Sequence, residues 1–164
     1  MKIYTVGSIS GLTKEQVEEY FIGTKRFLES LGYTVFNPMS GKGQLRVDKI
    51  YRAKDYRHPV ATNRAIIGRD RWMVGQADII YANFANSQMA SIGSMFELAW
   101  GYELRKHIVA VVPKENIHQH AFVLQACDII FETEAEAIEY LKDLIKSIEG
   151  CSNESEIEHL ARTY

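Results

Sequence analysis

Only two cysteines and three prolines occur in the 164 residues of the chain. Cys127 and Cys151 form no CxxC pair and have no metal-ligand spacing, which excludes a disulfide framework and fits a reducing compartment. Charge of one sign is not in excess either. Nineteen Lys and Arg against 21 Asp and Glu leave a net charge of −2, with no global pull towards nucleic acid or an acidic membrane. No apolar run approaches the ~20 residues that a membrane-crossing helix needs. Met1-Lys2-Ile3-Tyr4 enters a strand directly, without the three regions of a signal peptide. Internal repeats, low-complexity tracts and a GxGxxG fingerprint are also missing. The expectation is a cytoplasmic protein with no nucleic-acid and no membrane partner. What is present is apolar material, 46% of residues, enough for one core. We place that domain at residues 1–150 and a C-terminal tail at 151–164.

The patterning alternates strands with helices. Lys2 to Val6 reads as a strand, followed by a helix from Thr13 to Leu31 in which Thr13 and Gln16 have capping-box spacing. Gly32 is a C-cap candidate, and Tyr33 to Phe36 is the second strand. Ser40 to Pro59 reads as a long loop, carrying Lys42, Arg46, Lys49, Arg52, Lys54 and Arg57 against only Asp48 and Asp55. A helix over Thr62 to Gly75, a buried strand over Ala77 to Tyr81 and a polar loop from Asn83 to Ala90 follow. The next helix begins near Ser91, with Met95, Leu98, Ala99 and Tyr102 as its apolar stripe. Strands Ile108 to Val112 and Asp128 to Phe131 flank a short helix or loop over Ile117 to Ala126, and an amphipathic helix starts at Thr133. Alternation of this kind gives an α/β fold, a single Rossmann-like or flavodoxin-like domain of about five mostly parallel strands with helices on both faces.

In such sheets ligands bind at the carboxyl ends of the strands. That places two stretches at the binding edge. One is Gly7-Ser8-Ile9-Ser10-Gly11, a tight turn whose serines can bond an anion at the following helix N-terminus. The other is Ser91-Ile92-Gly93-Ser94-Met95-Phe96-Glu97, where Gly93 lets a backbone or ligand come close. Glu97 there is either a helix-dipole partner or a functional group. Asp70 is either an acid at the site or the partner of Arg64, Arg69 or Arg71 on the helix surface. Asp78, at a strand start, reads as structural. The basic loop is either a lid whose cations meet an anion or a solvated charged loop. A zinc reading of His118-x-His120 fails for want of further ligands at sensible spacing.

The pattern Ser91-x-Gly93-x-x-x-Glu97-x-x-x-Gly101, after the Ala77-Asp78-Ile79-Ile80 strand, resembles the signature of the nucleoside 2-deoxyribosyltransferase family. Close relatives in that family include the nucleoside 5′-monophosphate N-glycosidases, whose first motif is similar to Tyr4-x-x-Gly7-Ser8-Ile9-Ser10-Gly11. The resemblance follows element order from Met1 to about Leu144. It implies that Glu97 is a nucleophile attacking the anomeric carbon of a (deoxy)ribose, forming a covalent glutamyl-glycosyl intermediate. Transfer to another base or to water follows. Asp70 and Tyr4 take the other catalytic places, handling the base and lining the sugar pocket. Gly7, Ser8, Ser10, Ser91 and Gly93 become substrate-binding residues. Relatives often carry an arginine where this chain has Ser10, whereas a serine at position 91 is usual in monophosphate-cleaving relatives and an aspartate in those taking free deoxynucleosides.

Under the lid reading of the basic loop, Arg46 and Arg52 are the candidate phosphate contacts, and Trp72, Tyr51 and Phe84 are candidates to stack on a base. The resemblance also implies a homo-oligomer, with the site completed by His120 and Phe122 of a neighbouring subunit; His118 is a further candidate. The small-molecule nucleoside or nucleotide is the expected partner. A carboxylate nucleophile and an acid need no metal and no organic cofactor. The alternative is a non-catalytic nucleotide-binding or sensing module using the same pocket. The lysine-decarboxylase-like phosphoribohydrolases would need a Gly-Gly-x-Gly-Thr stretch before the glutamate, which this chain does not have.

Overall fold

Strand β1 (Lys2–Val6) is apolar on both of its faces, as a strand must be when helices cover the sheet on each side. Alternation along it turns Ile3 to one layer and Tyr4 and Val6 to the other, and all three are fully buried. The computed structural model describes residues 1–7, 9, 12–41 and 58–150. After β1 come α1 (Lys14–Ser30), β2 (Thr34–Phe36), a 3₁₀ turn at Pro59–Ala61 and α2 (Asn63–Gln76). Then follow β3 (Ile79–Asn83), α3 (Ile92–Glu103), β4 (His107–Val111), α4 (Ala121–Ala126), β5 (Ile129–Phe131) and α5 (Glu134–Gly150).

The five strands form one sheet in the order β2-β1-β3-β4-β5, and every pairing is parallel. This is the doubly wound, flavodoxin-like arrangement expected from the alternating pattern. One face packs Ile3, Ile79, Tyr81, Val109 and Val111 against Leu28 of α1 and Ala137, Leu141 and Ile145 of α5. The opposite face packs Tyr4, Val6, Ile80, Ala82 and Ile108 against Met73 and Val74 of α2, Leu98 of α3 and Val123 of α4.

Local chemistry sets the element ends. Thr13 and Gln16 close the expected capping box, with Gln16 N–H on Thr13 Oγ1 at 3.3 Å and Thr13 N–H on Gln16 Oε1 at 3.0 Å. Gly32 follows α1 with φ 101°, a left-handed conformation that favours glycine. Asp78 is structural: its Oδ2 accepts the Lys2 N–H at 2.8 Å and so ties the start of β3 to β1. Asp128 repeats the device one strand pair along, accepting the Ile108 N–H at 2.7 Å.

Helix α3 differs from its expected stripe. Its buried residues are Ser94, Glu97, Leu98 and Gly101, while Ala99 is exposed and Tyr102 is 63% exposed. The reason is Gly101. A Cβ built there would stand 2.9 Å from Ile80 Cγ1 and 3.2 Å from Ile108 Cδ1, so the helix lies against the sheet at its smallest residue. Among the described residues, no helix is long and apolar enough to cross a membrane. Residues 151–164, assigned to a tail, lie outside the described residues.

Candidate active site

The connections from β1 and β3 leave in opposite directions across the sheet, which opens a crevice between those strands at their carboxyl ends. A cleft of about 470 Å³ occupies it. Helix α2 contributes Asn63, Ile66, Ile67 and Asp70, one face over two turns. Helix α3 contributes Ser91, Ile92, Gly93, Ser94, Phe96, Glu97 and Trp100, and Gly7, Ile9 and Pro38 close the remainder.

At the base of the cleft the Tyr4 hydroxyl donates to Glu97 Oε1 at 2.7 Å. Alternation along β1 aims Tyr4 at the layer holding α3, and α3 brings Glu97 there from its buried stripe. Glu97 is 5% exposed and Asp70 7%. Burial, followed by the fields of the Glu97 and Asp70 carboxylates, pushes the Tyr4 phenol well above its ordinary pKa. Tyr4 therefore remains a neutral donor, and its hydroxyl holds Glu97 through one carboxylate oxygen. Such a carboxylate can serve as a nucleophile.

Asp70 stands on the cleft face of α2 rather than on the outer surface. Arg69 Nε is 4.0 Å from its Oδ1, so the expected surface pairing is present only in loose form. Helix-capping chemistry shapes the other wall. Ser91 is the N-cap of α3, accepting the Ser94 N–H at 3.3 Å. Ser94 Oγ lies 3.1 Å from the Gly7 carbonyl, to which it donates, and 3.0 Å from Ser91 Oγ. Ser91 can accept the cap bond and still offer its own proton to a ligand. Gly7 has a packing reason as well, since a Cβ there would stand 2.7 Å from the Tyr20 ring. Around Gly93 nothing among the described residues outside its own helix lies within 4 Å of a would-be Cβ, and Gly93 lines the cleft.

The structure therefore brings together Tyr4, Asp70, Glu97, Gly7, Ser91 and Gly93. Ser8, Ser10, Arg46, Tyr51 and Arg52 lie outside the described residues. Trp72 is not part of the cleft wall: it is 59% exposed and meets Phe36 edge to face, at 6.4 Å between centroids. Phe84 is fully buried and stacked on His118 at 4.1 Å, so neither presents a free face to a ligand or a neighbour. His120 caps α4, with Nδ1 accepting the Phe122 N–H at 3.3 Å, while Phe122 is 82% exposed.

Sequence reasoning missed Trp100, Phe96 and Asn63. Seven-residue spacing from Asn63 to Asp70 was the available clue, because such residues share a helix face. Among the described residues, no three His, Cys, Asp or Glu side chains gather as ligands to a metal ion.

Together, these observations define a doubly wound α/β domain with a buried tyrosine–carboxylate pair in a cleft at its switch point. Solved structures of like fold include a 2-deoxyribosyltransferase from Bacillus psychrosaccharolyticus, with a TM-score of 0.62 and 20% identity over 83% of this chain and 89% of that one. A conserved protein from Enterococcus faecalis V583 has a TM-score of 0.59 and 14% identity over 87% and 98%. The CMP N-glycosidase BcmB of Clostridium botulinum has a TM-score of 0.52 and 16% identity over 88% and 98%. At these identities the likeness is one of fold. No protein-family model and no curated protein matches the chain.

Proposed function

We propose that this protein cleaves the N-glycosidic bond of a (deoxy)nucleoside or its 5′-monophosphate through a covalent intermediate on Glu97. The observation that carries the reading is the 2.7 Å hydrogen bond from a neutral Tyr4 to a buried Glu97, with Asp70 on the facing helix. The fold shared with a 2-deoxyribosyltransferase and a CMP N-glycosidase supports it, as does the motif resemblance around Tyr4 and Glu97. In the first half-reaction a Glu97 oxygen bonds to the anomeric carbon. The C–N bond breaks with its electron pair going to the base, which leaves protonated. In the second, an acceptor base or water bonds to that carbon and the ester electron pair returns to Glu97.

Tyr4 and Asp70 orient the nucleophile and handle the base, for which a protonated leaving group is needed. Gly7, Ser8, Ser10 and Ser91 grip the 5′ end, and the hydroxyl rather than a carboxylate at Ser91 suits a phosphate. Arg46 and Arg52 remain candidate phosphate contacts. The apolar walls from Ile66, Phe96 and Trp100 suit a flat ring. Phe122, with its ring in solvent, suits a contact to a neighbouring subunit in a homo-oligomer whose sites are shared. Residues 1–150 constitute the working domain.

The test is a product assay on a panel of (deoxy)nucleosides and 5′-monophosphates, each with and without an acceptor base. Wild type is expected to release or exchange a base, and Glu97→Ala to lose at least about 100-fold of that rate, the scale of a lost nucleophile. Exchange that needs an acceptor identifies a transferase, and free sugar or sugar phosphate identifies a hydrolase. Ligand recovered unchanged from every reaction would sink the catalytic reading in favour of a binding module.

A further inference from the structure

Of the chain's two tryptophans, Trp72 and Trp100, only Trp100 lines the cleft. It stands on α3 three residues after Glu97, a spacing that puts both on one helix face. We propose that Trp100 is the platform on which the base of the substrate stacks, and that it sets a preference for purine over pyrimidine bases. The inference deepens the glycosyl-cleavage reading and rests on it, since that reading puts the 5′ end at Ser91 and the anomeric carbon at Glu97.

The direction of α3 orders the site. Helices covering a parallel sheet run back against the strands, so α3 starts at the carboxyl edge, where the cleft opens, and leads inward. At a rise of about 1.5 Å per residue, Glu97 lies about 9 Å along the axis from Ser91, and Trp100 about 4.5 Å beyond Glu97. All three line the cleft. A substrate held near Ser91 by its 5′ end, with its sugar at Glu97, therefore directs its base towards Trp100. On the facing wall α2 runs the same way and carries Asp70 about 10 Å inward of Asn63. The field of Asp70 reaches the Tyr4 phenol at the base of the cleft, so the group assigned to the base stands at the inner end too.

The indole is braced. It packs against the apolar layer on this side of the sheet, and Phe96 meets it edge to face with 5.7 Å between ring centroids. Ile66 and Ile67 add apolar surface from α2. Walls of this kind hold a ring by its faces, and the gain from stacking grows with the area that overlaps. Two fused rings cover more of an indole than one ring does.

The experiment removes turnover with Glu97→Ala and the other tryptophan with Trp72→Phe, so that emission reports Trp100 alone. Adenosine, cytidine and their 5′-monophosphates, in ribo and deoxyribo forms, should quench it saturably, with the purine bound at least about fivefold more tightly. Trp100→Leu, followed by calorimetry, should weaken purine binding roughly five- to a hundred-fold and bring the two bases level. Trp100→Phe keeps a smaller ring and should narrow the gap without closing it, which decides the matter if the leucine variant does not fold. Unchanged emission, equal binding of the two bases, or a gap unchanged by the substitutions would overturn the inference. Base release is followed separately with Glu97 intact. Its absence from every substrate would overturn the catalytic reading, whereas release with no purine preference in kcat/KM would overturn the platform alone.

Discussion

Tyr4 and Glu97 act as a pair only while the phenol keeps its proton. With its pKa raised by burial and then by the Glu97 and Asp70 carboxylates, the phenol stays neutral up to and beyond the pH near 10 where a free tyrosine titrates. Base release should therefore show no alkaline limb from this residue. Tyr4→Phe keeps the ring in the core and deletes only the hydrogen bond. A bond to a charged acceptor contributes about 1.5–3 kcal/mol, so the variant should melt several degrees lower and, with Glu97 less firmly placed, lose roughly ten- to a hundred-fold in kcat. Steady-state kinetics beside a thermal melt would check both halves. At this scale the sequence was legible wherever a residue works locally. Thr13 with Gln16, a capping box, needs only its neighbours to be understood. Trp72 and Phe84 were misleading because whether an aromatic ring meets a ligand, solvent or another ring depends on elements far away in the chain. Here those elements are Phe36 for Trp72 and His118 for Phe84.

At the scale of elements, α3 is informative because its buried stripe is poor in apolar residues. A reading by apolar period picks Ala99 and Tyr102, whereas the helix buries Ser94, Glu97 and Gly101 beside Leu98. A carboxylate and a serine on the inward face are what a site requires, and they disguise the periodicity that otherwise marks a core helix. The close seat at Gly101 and the open surroundings of Gly23 in α1, where nothing lies within 4 Å of a would-be Cβ, give a matched contrast. Gly23→Ala should stabilise by about 0.5–1 kcal/mol through the unfolded chain and helix propensity. Gly101→Val should destabilise by about 1–3 kcal/mol through overpacking against Ile80 and Ile108, and should slow base release by shifting Glu97. Urea denaturation of the two variants would give the opposite signs.

Over the whole molecule, the sheet order and the two helical layers followed from alternating strands and helices, because parallel connections leave few topologies. The cleft did not, since it is formed where α2 and α3 face one another and no local pattern records their rotation. A different global property is set by His118, which is 2% exposed, stacked on Phe84 and held through Nδ1 to Asn116 Oδ1 at 2.9 Å. Its pKa is lowered by burial, so the unfolded chain takes up the proton first as pH falls. Stability from this group is complete above the unfolded value near 6.5 and is lost as pH drops below it. Wild type should lose more unfolding free energy between pH 7.5 and 5.5 than His118→Gln does. Equal losses measured by denaturant titration would refute the assignment.

The hydrogen bond between Tyr4 and Glu97 joins residues 93 positions apart, between a strand and a helix that can seat only after β3 lies beside β1. A growing chain on the ribosome therefore cannot hold Glu97 in place until α3 has emerged and seated. Partly made chains are chemically silent. Recovery of base release during refolding would then count finished molecules, whereas a signal from helix content alone would rise earlier.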